Sequence, residues 1–274
     1  MSVDLVPFLR NVLVLIAGAY VLVTVYMYAT QRGHQYFPGR QGLTASVVGL
    51  QGVEDVNLAT TDGETLQAWY SPARAGKATV LYFHGNGGEI ADRFERFAAY
   101  QAQAFGVFFL SYRGYGASTG SPSEMGLMND ARAAYEWLMA KRIDPGKLML
   151  VGESLGSGVA VQLAAEQQVG ALALEAPFAS AASVASSAYW WLPVRLLMKD
   201  KFDSISFIDR VKAPLLVIHG DLDAVVPLSE GQALFARANE PKEMIVVPGG
   251  SHVSIFSPGS WALETQFFDR HIAK

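Results

Sequence analysis

No cysteine occurs among the 274 residues, which removes disulfide scaffolds, thiolate metal sites and cysteine nucleophiles together. Charge is scarce as well: only 17% of residues are charged, and the 21 Lys and Arg are outnumbered by 25 Asp and Glu. A formal net charge of −4 leaves no basic stripe to neutralise phosphates, so nucleic acid is not an expected partner. Internal repeats and low-complexity tracts are lacking too. Apolar residues are plentiful, at 51% of the chain, and a mean hydropathy of +0.21 exceeds what a soluble core needs and directs attention to a membrane segment.

That segment lies at the amino terminus. No charged residue falls between Arg10 and Arg32, and residues 12–29 read VLVLIAGAYVLVTVYMYA, a run of about 18 residues and ~27 Å as a helix, just long enough to span a bilayer. A secretory signal is the nearest rival, with Ala17-Gly18-Ala19 as a small-residue site. Its apolar region is normally only ~7–15 residues, however, and here the small residues lie inside the run rather than after it. Tyr20, Tyr26, Tyr28, Tyr36 and Phe37 gather toward the far end, as an interfacial aromatic belt does. Arg10 on one side and Arg32 and Arg40 on the other leave the positive-inside count undecided. The habit of N-terminal signal anchors then sets the expectation of a single-pass membrane protein with its domain outside the cytoplasm.

The expected organisation is an anchor over residues 1–32, a connecting segment over 33–52 and one domain over 53–274. Two stretches around Asp62-Gly63 read as an antiparallel hairpin. Beyond it, short apolar runs at 79–83, 106–111, 148–151, 171–174, 215–218 and 244–247 alternate with amphipathic stretches at 90–103, 123–141, 154–166, 229–238 and 260–271. Strands of this kind between helices imply a mostly parallel, doubly wound α/β sheet buried on both faces. Residues 177–210 are longer than one crossover requires and read as a helical insertion or cap. Its cluster Tyr189, Trp190, Trp191 and Leu192 supplies candidates for a substrate pocket, or for packing the insertion onto the domain.

Gly-x-Ser-x-Gly occurs twice. Around Ser118 the serine lies past its strand, and Ser121-Pro122-Ser123 follows, so no helix starts there. In Gly152-Glu153-Ser154-Leu155-Gly156 a strand runs straight into the motif and a small-residue helix begins at once. That strand-turn-helix setting is what a nucleophile elbow requires, with the helix N-terminus adding positive potential where an oxyanion develops.

A serine hydroxyl needs a base, and the base an orienting acid. Of the five histidines, His34 follows the apolar run, His271 lies near the chain end, and His84 and His219 each end a strand before glycine. His252, in Gly249-Gly250-Ser251-His252, follows the last strand on the carboxyl edge of the sheet, where parallel α/β sites gather. For the acid, His219-Gly220-Asp221-Leu222-Asp223 offers two aspartates; Asp221 suits a turn cap, and Asp223, further out, is favoured. The oxyanion hole falls to the backbone amides of Leu155, after the nucleophile, and Asn86, in the glycine-rich His84-Gly85-Asn86-Gly87-Gly88. That loop lacks a Walker lysine and dinucleotide-fingerprint spacing, so no phosphate site is read there. No cofactor and no metal are expected.

These motifs, with Tyr112-Arg113-Gly114-Tyr115-Gly116-Ala117-Ser118 and Gln35-Tyr36-Phe37-Pro38, resemble in order the signatures of membrane-anchored α/β-hydrolase-domain serine hydrolases. This branch includes bud-emergence-type proteins and eukaryotic protein depalmitoylases. The resemblance implies the α/β-hydrolase fold, Asp223 rather than Asp221 as the acid, and a tyrosine-rich loop supporting the floor of the site. It implies substrates among esters, thioesters and lipids, so the expected activity is hydrolysis of acyl esters or thioesters through an acyl-enzyme. The alternatives are a serine peptidase on the same fold and, in another class, a non-catalytic membrane-tethered binding or scaffold protein. A small-molecule or lipid substrate and the membrane are the expected partners.

Overall fold

The computed structural model describes residues 5–74 and 76–272. Eight strands form one sheet: β1 (Glu54–Ala59), β2 (Thr65–Ser71), β3 (Thr79–Phe83), β4 (Gly106–Leu110), β5 (Leu148–Glu153), β6 (Ala171–Glu175), β7 (Leu215–Gly220) and β8 (Lys242–Val247). Their order is β8-β7-β6-β5-β3-β4-β2-β1. The β1–β2 and β2–β4 pairs are antiparallel, and every other pair in this sheet is parallel. The hairpin at Asp62-Gly63 thus makes the antiparallel edge, and the continuous apolar runs make the buried parallel centre. All residues of β3 to β7 are buried, because helices cover both faces.

Among the described residues, eight α-helices accompany the sheet: α1 (Leu5–Gln35), α2 (Phe94–Ala102), α3 (Glu124–Ala140), α4 (Leu155–Glu166), α5 (Ala181–Ala188), α6 (Val194–Leu197), α7 (Leu228–Arg237) and α8 (Pro258–His271). The stretch expected as one helix at 90–103 begins instead as a 3-10 turn, Ile90–Arg93, before α2. Glu89 and Asp92 share a capping box that fixes this entry. Residues 177–210 fold as the two short helices α5 and α6 followed by single turns, and form a cap over the carboxyl edge of the sheet.

Helix α1 has no buried residue and is long and apolar enough to cross a membrane. It runs on to Gln35, three residues beyond the boundary expected at residue 32. Arg32 and His34 in its last turn suit the negative end of the helix dipole, and Pro38 then prevents continuation. The chain next pairs Phe37 and Pro38 in parallel with Gly87 and Gly88.

Candidate active site

The turn from β5 into α4 carries Ser154 at φ 49° and ψ −112°, a region that L-residues rarely adopt and that persists only when its surroundings fix it. The flanking glycines show what fixes it. A Cβ at Gly156 would lie 2.1 Å from the Phe83 carbonyl oxygen, and one at Gly152 would lie 2.6 Å from that of Gly156. Strand β3, strand β5 and the start of α4 are therefore in backbone contact at this corner.

The two loops that carry the other partners are joined at the far ends of β7 and β8. Asp221 accepts from the Gly249 amide at 2.7 Å, and the Leu222 amide donates to the Gly250 carbonyl at 2.9 Å. A Cβ at Gly220 would meet that same carbonyl oxygen at 2.2 Å. Asp221 is thus a brace between the loops, which leaves Asp223 free to face inward.

The Asp223 carboxylate has both oxygens occupied. Oδ1 accepts from the Val225 and Val226 amides at 2.9 and 2.8 Å, and Oδ2 lies 2.7 Å from His252 Nδ1. Burial pushes this carboxyl up, but the bonds from His252 and the two amides outweigh it and hold it below the usual carboxylate range. An ionised Asp223 accepts only, so Nδ1 of His252 carries the proton and Nε2 is left as an acceptor. Ser154 Oγ lies 2.9 Å from that Nε2, in position to donate to it. Three side chains from three loops form one hydrogen-bonded relay.

As the first residue of α4, Leu155 has an amide with no intrahelical acceptor. Among the described residues the Asn86 amide likewise donates to no acceptor, while the rest of Asn86 is held from three sides. Its carbonyl accepts from the Phe37 amide at 2.9 Å and the Tyr115 hydroxyl at 2.8 Å, and its Nδ2 donates to the Gln35 carbonyl at 2.9 Å. The Gln35-to-Pro38 segment and the tyrosine-rich loop therefore both grip the loop of Asn86. Both Asn86 and Leu155 border the same cavity as Ser154.

His84 is fully buried, 2.7 Å through Nδ1 from the Gly85 carbonyl, and burial lowers its pKa to about 3. It is a neutral structural ring beneath the loop. His219 is also buried, with Nε2 2.9 Å from the Val226 carbonyl. The second serine motif is structural: Ser118 Oγ donates to the Ser111 carbonyl and accepts from the Gln67 amide, both at 2.8 Å.

Beneath the elbow is an ion network that sequence reasoning missed. Arg93 contacts Glu153 at 2.7 Å, and Arg96 contacts Glu175 at 2.6 Å and Glu264 at 2.8 Å, while the Tyr82 and Tyr100 hydroxyls donate to Glu153 and Glu264. Burial would raise the Glu153 carboxyl, but Arg93 and Arg96 outweigh it and hold it down at about 2. Burial wins at Glu175, whose carboxyl is pushed well above the ordinary range despite Arg96.

A cavity of about 610 Å³ opens over Ser154, walled by the cap and by the end of α1. Of the four cap residues singled out from the sequence, Tyr189 and Leu192 line it and Trp190 and Trp191 do not. Those two indoles are exposed on the outside of the cap, because Tyr189 to Leu192 sit in a turn after α5 rather than on one helical face. The α1 wall, including Met27, Tyr28 and Gln31, was not anticipated from an anchor read as separate from the domain.

With this geometry, residues 78–205 match the model of the family described as the alpha/beta hydrolase fold. The chain is 41% identical over 233 residues to the uncharacterized protein Rv2307c of Mycobacterium tuberculosis, covering 84% of this chain and 83% of that one. It is 34% identical over 200 residues to the protein bem46 of Schizosaccharomyces pombe, covering 69% and 67% of the two chains. Among solved structures, the esterase Pf2001 of Pyrococcus furiosus superposes with a TM-score of 0.71 at 20% identity, over 87% of this chain and all of that one. This chain belongs to the α/β-hydrolase family, and its relatives include bem46.

Proposed function

We propose that the protein is a serine hydrolase that cleaves carboxylic esters or thioesters of apolar acyl groups through an acyl-enzyme. The observation that carries this reading is the relay from Ser154 Oγ to His252 Nε2 at 2.9 Å and from His252 Nδ1 to Asp223 at 2.7 Å, set beside two backbone amides. In acylation Ser154 Oγ attacks the carbonyl carbon, His252 Nε2 takes the hydroxyl proton, and the carbonyl oxygen's developing charge is met by the Leu155 and Asn86 amides. The tetrahedral adduct expels the alcohol or thiol, which leaves with the proton from His252. Water then repeats the sequence on the acyl-enzyme and releases the acid and the free serine. Asp223 stays ionised throughout and stabilises the imidazolium.

The apolar wall of the cavity, with Leu192, Val184 and Phe178 among its residues, supports an acyl group as the part of substrate that is bound. Helix α1 supports membrane anchoring. Membranes containing the full-length chain, offered matched oxygen esters, thioesters and amides, are the test. We expect ester or thioester turnover that Ser154→Ala lowers by at least roughly a thousandfold. Turnover surviving in that variant, or an amide hydrolysed in preference to its ester, contradicts the reading.

A further inference from the structure

The anchor is joined to the catalytic domain along much of its length. Tyr20 donates to the Trp191 carbonyl at 3.0 Å, Lys199 Nζ sits 4.3 Å over the Tyr28 ring, Gln31 accepts from the Lys199 amide at 2.7 Å, and Arg32 pairs with Asp200 at 2.7 Å. These contacts fall in order along the helix: Tyr28 lies about 12 Å and Arg32 about 18 Å beyond Tyr20 at 1.5 Å per residue. The contact at the Tyr20 level is a single uncharged hydrogen bond, and those from Tyr28 onward bring in Lys199, Arg32 and Asp200.

The apolar run starts at residue 12, so only residues 12–19 lie clear of the cap, about 12 Å of helix against a hydrocarbon core of about 30 Å. The run reaches through the bilayer only if the cap beside it is submerged as well. The cap's outer face suits that position. Trp190 is 82% exposed, Leu196 80% and Trp191 41%, an exposed apolar group next to the anchor, bordered by the exposed Arg195 as a cation that can reach headgroups. The cavity follows the same axis. Its α1 wall runs from Thr24 through Met27 to Gln35, about 16 Å along the helix, and Ser154 stands at the end near Gln35 and Asn86.

Building on the hydrolase reading above, we propose that the anchor helix is a working wall of the acyl site. On this proposal the cap dips into the bilayer, and the enzyme draws a long-chain acyl ester sideways from the lipid leaflet, chain first along α1, until its carbonyl meets Ser154. The bilayer is the surface that the exposed cap residues occupy, and substrate in free aqueous solution is the poorer source.

Because the chain has no cysteine, a single nitroxide label can be placed at will. Full-length protein carrying Trp190→Cys or Leu196→Cys, in vesicles of phosphatidylcholine and phosphatidylglycerol, is expected to show labels open to oxygen and shielded from a water-soluble nickel chelate, with Glu136→Cys showing the reverse. In parallel, Met27→Trp is expected to lower hydrolysis of a long-chain ester roughly tenfold more than hydrolysis of the matching acetyl ester. Fluorophosphonate labelling of Ser154 in the wild-type chain separates the two levels. Its absence overturns the hydrolase reading and this inference with it. Labelled serine together with water-exposed cap labels and an unchanged chain-length ratio overturns this inference alone.

Discussion

At the scale of single residues, the relay depends on Asp223 as much as on the nucleophile. Its Oδ2 fixes which nitrogen of His252 bears the proton, while its Oδ1 is held by two amides. Asp223→Asn preserves shape but can present an N–H to Nδ1, which favours the wrong tautomer. Turnover of an ester is therefore expected to fall about 10⁴-fold, measured beside Asp221→Asn, which loosens a loop brace and costs far less. Comparable losses in both variants would contradict the assignment of roles. His84 contributes to the pH dependence of stability. In the unfolded chain its imidazole binds a proton near 6.5, whereas the buried ring resists protonation until about 3. Between those values the unfolded state takes up the proton, so stability is present above pH 6.5 and lost as pH falls, at up to about 1.4 kcal/mol per pH unit for one proton. Urea midpoints taken from pH 7 down to pH 4 are expected to fall, less steeply in His84→Asn; identical slopes would remove His84 as the cause. The convergence of Ser154, Asp223 and His252 was legible in the sequence because each stands in a short loop directly after an apolar strand, in an order that topology converts into proximity. Trp190 and Trp191 were misjudged because local spacing in a turn does not say which way a side chain faces.

At the scale of elements, the elbow is a joint between β3, β5 and α4, and its glycines are demanded by contact rather than by freedom alone. Gly156→Ala forces a methyl group into the Phe83 carbonyl, and we expect a loss of about 3 kcal/mol or more, read from the denaturation midpoint of the full chain in detergent. A midpoint equal to wild type would mean the joint is looser than drawn. Under the joint, Arg96 ties α2 to β6 and α8 through Glu175 and Glu264. Arg96→Met leaves these carboxyl groups buried without their cation, at an expected cost of about 3–5 kcal/mol; Glu264→Gln, which keeps hydrogen bonding to Arg96, is expected to cost less. The strands and most helix positions were readable from periodicity, since period and capping are local. This network was not, because its members lie 79 and 168 positions apart and an isolated Arg or Glu in an amphipathic helix looks the same whether it meets water or another ion.

At the scale of the molecule, helix α1, the cap and the carboxyl edge of the sheet together wall the cavity that holds Ser154. The fold class could be read from alternating strands and helices, and the long apolar helix from an uncharged run. Their union could not, since an apolar helix has the same composition whether it meets lipid alone or also closes a cavity. All of it rests on an activated serine at position 154, and covalent capture tests that most directly. Full-length protein is treated with a fluorophosphonate probe beside Ser154→Ala and His252→Ala. The account predicts labelling of the wild type at Ser154, none in the serine variant, and labelling slowed by orders of magnitude in the histidine variant. Folded wild-type protein that takes up no probe, or a label that persists in Ser154→Ala, would contradict it.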